Sequence, residues 1–485
     1  MLDHFEILKK YFGFNTYRGP QQAIIERTLQ QKHSLVIMPT GSGKSLTYQI
    51  PALLLEDLTV VISPLIALMK DQVDGLVKRG IPATFVNSSL TREQRLNRYR
   101  EIQAGKYKLL YVTPERFRKA EFIDLLKNRK ISLLAVDEAH CISEWGHDFR
   151  PDYSRLKEFR KIIQNPPTLA LTATATPDVQ QDIVRQLGLA PQDVLLFHEG
   201  IERSNLFLEV FELWGEQEKL KHILKILENH PGNGIIYFVL IKDLHSMSEL
   251  LHRQKIRHLR YHGDLTAQER RRIQNTFMQQ EGQLVLATNA FGLGIDKENI
   301  RFVIHCQIPA SLEAYYQEIG RAGRDNLPAR CSLLYDQQDL SIQLEFIKWN
   351  NPSADFYDRL YRLLHADLER VNGEGIEFLR EQLSFKNKFD FRLETALGIL
   401  DRYAVTDGSI ESKNLQIISD LPAELQEQTH LDMKLKNEQQ KLYQLVQYVK
   451  EKKCRKAFIH RYFGLEYEVE CDSCDCHSTN LRGGL

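Results

Sequence analysis

Net charge is the first thing this chain lacks. Its 64 Lys and Arg residues balance its 64 Asp and Glu residues. Composition therefore supplies no overall basic field, and any nucleic-acid surface has to be local. Long apolar runs are also missing. The most apolar stretch, Val60 to Met69, is short and broken by Pro64, which is too little to cross a bilayer. The opening residues MLDHFEILKK carry neither a basic n-region nor an apolar h-region. Together these absences predict a cytoplasmic, intracellular protein with no membrane partner. Cysteine is scarce, at 7 residues, and unevenly placed. Cys454, Cys471, Cys474 and Cys476 crowd one end while Cys141, Cys306 and Cys331 are scattered, which argues against a disulfide framework and for a metal site. No solenoid-length repeat and no low-complexity segment is present. What remains is ordinary globular material, 42% apolar and 26% charged. Its length is too great for a single core, so two or three domains are expected.

Up to about residue 200, short β-type runs alternate with helical stretches: SLVIM (34–38), TVVIS (59–63), KLLYVT (108–113), LLAVDE (133–138) and TLALTA (168–173). A second set follows with GIIYF (234–238), HLRYH (258–262), QLVLAT (283–288) and RFVIH (301–305). Such alternation predicts two α/β domains with parallel sheets, joined near 200–218. Beyond Arg330 the pattern changes. Residues 355–405 carry Leu, Arg and Glu at helical spacing, DGSIESKNLQIIS (407–419) reads as a strand entered by an Asp-Gly turn, and 424–452 reads as a long charged helix.

The run Pro39-Thr40-Gly41-Ser42-Gly43-Lys44-Ser45 lies between the strand SLVIM and the helix SLTYQIPALL, the context a phosphate-binding loop requires. Its glycines let backbone N–H groups turn toward phosphate, and the helix N-terminus adds partial positive charge. Lys44 is placed for the β- and γ-phosphates of ATP, and the Ser45 hydroxyl for Mg²⁺. Met38 stands where the strict pattern has its first glycine. Asp137-Glu138-Ala139-His140 closes the strand LLAVD. Asp137 would hold Mg²⁺ through water, Glu138 would polarise the attacking water, and His140 could relay to loops beyond. Alone, an Asp-Glu pair is an ordinary solvated strand end; with a phosphate loop upstream it reads as the second half of a nucleotide site. In Gln317-Glu318-Ile319-Gly320-Arg321-Ala322-Gly323-Arg324-Asp325, two arginines one helical turn apart would share a face and reach the γ-phosphate across a cleft.

These motifs in this order resemble superfamily-2 helicases, and specifically the RecQ family of DNA helicases. Phe12-Gly13-Phe14 through Arg18 and Gln21 is similar to the family's adenine-recognition segment, which implies that Phe14 and Arg18 flank the base and Gln21 bonds its edge. Residues 63–73, 113–116 and 172–175 resemble motifs Ia, Ib and III. His140 to Pro151 resembles the aromatic-rich loop, where Trp145 and Phe149 would stack bases and His147 and Arg150 would add polar and cationic contacts; Glu144 stands where the family usually has Gln. Residues 287–297 resemble motif V and 317–325 motif VI, with Arg324 the implied arginine finger beside Arg321 and Gln317. Motif IV (237–242) lacks the usual polar Ser-Arg pair, and Arg-Gly-Pro replaces the family's Arg-Pro-Gly near Gln21.

The resemblance implies two tandem RecA-like parallel-sheet domains, then a mostly helical C-terminal region with a zinc-binding subdomain. It implies an ATP-dependent 3′→5′ DNA helicase working on single-stranded and tailed duplex DNA in repair and recombination. Cys454, Cys471 and Cys474 have structural-zinc spacing. Family spacing makes His477 the fourth ligand, whereas ligand chemistry also allows Cys476. Family members reach zinc soon after motif VI; here a long insert intervenes. We expect it to be a relocated winged-helix-like unit, with helices over 376–383 and 391–403 and a wing opening at Asp407-Gly408; a plain helical brace is the alternative. The expected divisions are 1–205, 206–340, 341–430 and 431–485.

Overall fold

The apolar runs do fold as parallel strands. The computed structural model describes residues 3–39, 41–64, 66–143, 151–292, 295–383, 390–467 and 471–477. In the first domain seven strands, β1 (His33–Ile37), β2 (Leu58–Ile62), β3 (Ala83–Val86), β4 (Leu109–Val112), β5 (Ile131–Val136), β6 (Thr168–Thr172) and β7 (Val194–His198), form one all-parallel sheet in the order β3-β4-β2-β5-β6-β1-β7. The central strands are buried residue after residue because helices cover both faces. Separate apolar clusters fill the two sides of the sheet, one around Phe122, Tyr153 and Phe159 and one around Tyr48, Met69 and Tyr111.

The second domain repeats the plan with six strands: β8 (Leu206–Glu212), β9 (Asn233–Tyr237), β10 (Leu259–Tyr261), β11 (Leu284–Ala287), β12 (Ile300–His305) and β13 (Ala329–Tyr335), in the order β10-β11-β9-β12-β13-β8 and again parallel throughout. The doubly wound order brings motif-bearing loops to the carboxyl ends of the strands, where open α/β sheets bind ligands. The chain passes from one sheet to the other between His198 and Leu206.

The C-terminal region is mostly helical. Helices Ala354–Ala366, Leu368–Glu374, Ile376–Gln382 and Arg392–Arg402 enclose a core of their own around Tyr357, Leu360, Leu379, Ala396 and Leu400. The segment read as one strand over 407–419 is a hairpin instead. β14 (Thr406–Asp407) pairs antiparallel with β15 (Gln416–Ile417). Gly408 at φ +89° and Lys413 at φ +53° bend the chain between them, and Ser409 N–H donates to Asn414 Oδ1 at 2.9 Å to close the turn. Two left-handed residues within six positions break what would otherwise run as one strand.

The 22-residue helix Gln428–Val449 crosses the expected division at 430/431. Leu431 packs with the insert, while Leu445, Tyr448 and Val449 enter the core of the second domain. Cys454, Ile459, Phe463 and Cys474 belong to that same core. The cysteine segment also continues the sheet: Leu208 N–H donates to Ser473 O at 3.0 Å and Asp475 N–H to Leu208 O at 3.0 Å, covering the β8 edge. Among the described residues no helix is long and apolar enough to cross a membrane.

Candidate nucleotide and metal sites

Between β1 and the helix Leu46–Leu54, Gly41 (φ +84°) and Gly43 (φ +81°) hold left-handed conformations that turn successive N–H groups inward. A Cβ at Gly43 would also lie 2.6 Å from Gln21 Nε2 and displace that amide from the loop. Lys44 Nζ is drawn into the loop by the carbonyls of Met38 at 2.9 Å and Pro39 at 3.3 Å. Burial lowers its pKa, opposed by Glu138 and Asp137. Ser45 caps the helix that follows. Thr40 lies outside the described residues.

Asp137 follows β5, and its N–H donates to Ile62 O at 2.8 Å. Burial, reinforced by the neighbouring Glu138 charge and opposed by Lys44, pushes its carboxyl up to about 7. The adjacent carboxyl groups of Asp137 and Glu138 beside Lys44 offer oxygen donors of the kind a divalent cation takes. Glu138 takes φ +48°, ψ +47°, a costly conformation for a residue with a side chain and of the kind that clusters at functional sites. The sheet order places β6 between the strand of the phosphate loop and that of the Asp137 box. Thr172, at its end, touches both: its carbonyl accepts from Met38 N–H at 3.1 Å, and its Oγ1 lies 2.9 Å from His140 Nδ1. His140 Nδ1 is also 3.4 Å from Glu138 Oε2.

Across the cleft the expectation that Arg321 and Arg324 share a helical face is corrected. The helix Leu312–Ile319 ends at Gly320, and Gly323 at φ +55° throws the chain into turns. The arginines diverge. Arg321 Nη1 donates to Gly292 O within its own domain. Arg324 pairs with Asp296, and its Cδ lies 3.5 Å from where a Gly41 Cβ would stand, against the phosphate loop of the other domain. Its Nε is buried without a hydrogen-bond partner among the described residues. Gln317 lines a cavity of about 610 Å³ together with Glu138, His140, Asn289 and Arg321.

Gln21 is placed otherwise than a free reader of the base. Its Nε2 donates to Ser42 O at 2.8 Å and Gly43 O at 3.2 Å, and its Oε1 accepts from Arg18 N–H at 3.0 Å. It thus ties the adenine-type segment to the phosphate loop. Phe14 and Arg18 are exposed nearby. Trp145, His147, Phe149 and Arg150 lie outside the described residues.

Sequence reasoning missed the linker. Arg203 donates to Ala322 O at 2.7 Å and Gly323 O at 2.9 Å, and Asn205 Nδ2 to Gly323 O at 2.8 Å. These bonds fix the turn that presents Arg324. The sequence carried no signal for this, because a charged residue in a linker reads as solvated.

Sγ of Cys454, Cys471 and Cys474 and a ring nitrogen of His477 lie within 4.8 Å of one another. Three thiols and one imidazole at this separation suit a closed tetrahedral zinc site. Cys476 falls outside that foursome but in a second group with Cys474 and Asp475, also within 4.8 Å of one another, and its Sγ lies 3.5 Å from Asp475 Oδ1 and 3.6 Å from Glu451 O. Arg455 grips Asp475 at 2.9 and 3.1 Å and donates to Tyr448 O at 2.6 Å, bracing the metal segment against the long helix.

Family models match all three regions. Residues 18–183 match the DEAD/DEAH box helicase domain, 218–326 the helicase conserved C-terminal domain, and 416–478 the RecQ zinc-binding domain. The chain is 45% identical over 339 residues to the ATP-dependent DNA helicase RecQ of Bacillus subtilis, covering 70% of this chain and 57% of that protein. It is 43% identical to RecQ of Pasteurella multocida, covering 69% of this chain and 52% of that one. The chain thus spans a little over half the length of these two relatives. Among solved structures, the DEAD-box helicase Mss116 bound to single-stranded RNA shares the fold at 16% identity, with a TM-score of 0.58, covering 86% of this chain and 96% of that one. A nearer match in length is the probable ATP-dependent DNA helicase RecS of B. subtilis, 40% identical over 367 residues, with 75% of this chain and 73% of that protein covered. On that coverage, and with a zinc module matching a RecQ-specific model, the chain belongs to the RecQ family of DNA helicases.

Proposed function

We propose that the protein is an ATP-dependent 3′→5′ DNA helicase that couples hydrolysis to translocation on single-stranded DNA and unwinding of tailed duplexes, in repair and recombination. The observation that carries this reading is the approach of Arg324, from the second domain, to Gly41 of the first. A site completed across a cleft changes its chemistry whenever the domains move, which is what a motor requires.

In this reading Gly41, Ser42 and Gly43 cradle phosphate with backbone N–H groups, Thr40 belongs to the same loop, and Lys44 exchanges the Met38 and Pro39 carbonyls for phosphate oxygens. Mg²⁺ bound through Ser45 and, by water, Asp137 would neutralise phosphate charge. Glu138 orients and deprotonates the attacking water, aided by its strained backbone and by His140. Arg324 swings from Asp296 to stabilise transition-state charge, with Arg321 and Gln317 shaping the cleft. Phe14 and Arg18 hold the adenine while Gln21 reports its presence to the phosphate loop. Thr172 passes the state of this site to the Asp137 box and on to the loop bearing Trp145, His147, Phe149 and Arg150, where bases stack. Zn²⁺ held by Cys454, Cys471, Cys474 and His477 is structural, and Cys476 is not a ligand.

The direct test is ATPase stimulation by single-stranded DNA and by RNA, alongside unwinding of a 3′-tailed DNA duplex. DNA-stimulated hydrolysis with strand separation is expected. Hydrolysis without separation would leave a remodelling or annealing factor, and stronger stimulation by RNA would make this an RNA motor.

A further inference from the structure

Arg118 belongs to no motif. It closes the turn Pro114–Arg118 that follows β4 in the first domain. Its guanidinium is 13% exposed and holds both oxygens of Asp152, itself 4% exposed, at 2.5 and 2.6 Å. From the same fork Nη1 donates to Asp401 O at 2.7 Å and Nη2 to Arg402 O at 2.6 Å. Those carbonyls lie in the last turn of the insert helix Arg392–Arg402, the negative end of its dipole, where a cation is favoured. Lys119 adds an exposed pair with Asp407 of the hairpin at 3.5 Å.

The insert is otherwise fastened to the second domain. Helix Asp339–Asn350 is pinned there by Lys219 Nζ on Asp339 Oδ2 at 2.6 Å. Trp349 from that helix meets Phe391 edge-on at 5.3 Å, and Asn351 donates to Glu438 of the long helix at 2.7 Å. Arg118 of the first domain, with Lys119 beside it, therefore grips a unit that is packed on the second. The grip exists in an arrangement where Arg324 already lies on Gly41.

We propose that Arg118, oriented by Asp152, is a nucleotide-dependent latch: it holds the winged insert against the first domain when the cleft is closed and lets go as the cleft opens. This rests on the motor reading above, in that nucleotide closes the cleft. Because the two hydrogen bonds to Asp401 O and Arg402 O cross from the first domain to the insert and form in one arrangement of the domains, nucleotide binding and latching favour each other, and the coupling is reciprocal. The wing hairpin, a few residues beyond Arg402, would then change position once per ATP bound and released.

The test uses the full chain with zinc in place. Hydrogen exchange over 392–407 is measured with and without AMP-PNP and Mg²⁺, together with AMP-PNP affinity. In the unaltered protein AMP-PNP is expected to slow exchange at the end of helix Arg392–Arg402. The Arg118→Met/Asp152→Asn variant, which removes both buried charges so that neither is left unpaired, should lose that protection and bind AMP-PNP about threefold or more weakly. Arg118→Lys, which keeps the charge without the fork, should fall between. Exchange over 392–407 that is indifferent to AMP-PNP in the unaltered protein, or unchanged affinity in the double variant, would overturn the latch alone. Failure of the unaltered protein to bind AMP-PNP would overturn the motor reading and the latch with it.

Discussion

Two sites in this molecule bind through glycine- or cysteine-marked segments, and they are built in opposite ways. The zinc module draws its donors from Cys454 and from one short stretch, 471–477, and seals them against the second domain through the Leu208 bridge and the Arg455–Asp475 pair. The nucleotide site draws on β1, β5, β6 and a turn of another domain, and its two halves meet at Arg324 and Gly41. The first arrangement suits a brace, because no relative motion of domains can open it. The second suits a cycle, because small displacements of one sheet against the other make or break it. Local closure gives rigidity, and assembly from distant parts gives control.

Four substitutions probe that contrast. Lys44→Ala has the largest expected effect: turnover should fall by about 10³-fold or more, since the lysine is the principal cation in the phosphate loop, while DNA binding and melting temperature stay near those of the unaltered protein. Retained turnover would break the phosphate-loop assignment. Cys471→Ser reverses the pattern. Loss of a structural metal ligand should lower the melting temperature by about 5 °C or more while intrinsic hydrolysis in the folded fraction changes little, because the metal segment packs on the far edge strand. Unchanged melting after this change or after chelation would remove the brace. Cys476→Ser serves as its partner: zinc content should stay at one equivalent, and a drop would move the fourth ligand from His477 to Cys476. Arg203→Met is smaller. Freeing the turn at Ala322 and Gly323 should reduce kcat by about tenfold with little change in KM, since misplacement of a charge-stabilising group acts on turnover; a change confined to KM would show that the linker does not aim Arg324.

The parts legible from sequence are those whose cause is local. Gly41, Gly43 and Lys44 declare themselves because a left-handed turn and a helix start constrain residues within a few positions. The strand runs were legible because burial on both faces makes them continuously apolar. The cysteine spacing was legible for the same local reason, although it left Cys476 and His477 equal; the fold groups His477 with Cys454, Cys471 and Cys474, and Cys476 with Cys474 and Asp475. Illegible parts depend on partners far along the chain. Arg203 acts on carbonyls near residue 322, and Arg118 on carbonyls at 401 and 402, and carbonyl acceptors leave no trace in residue identity. Arg321 and Arg324 were misread as a helical pair because their spacing suits a helix; Gly323 at φ +55° decided otherwise. The hairpin was read as a single strand because Lys413, left-handed at φ +53°, is not marked as a turn residue by its identity. Gln21 belongs to both groups: its position was marked, but its two loop carbonyls were not.

The central claim is that hydrolysis requires a residue from each side of the cleft. It is tested most directly by single-turnover hydrolysis of ATP by Arg324→Ala in the presence of saturating single-stranded DNA, with ATP affinity measured on the same protein. The account predicts that the variant still binds ATP within a fewfold of the unaltered protein but cleaves it about 10³-fold more slowly. Cleavage at the unaltered rate would show that the first domain hydrolyses ATP by itself and that the contact between Arg324 and Gly41 is incidental to the chemistry.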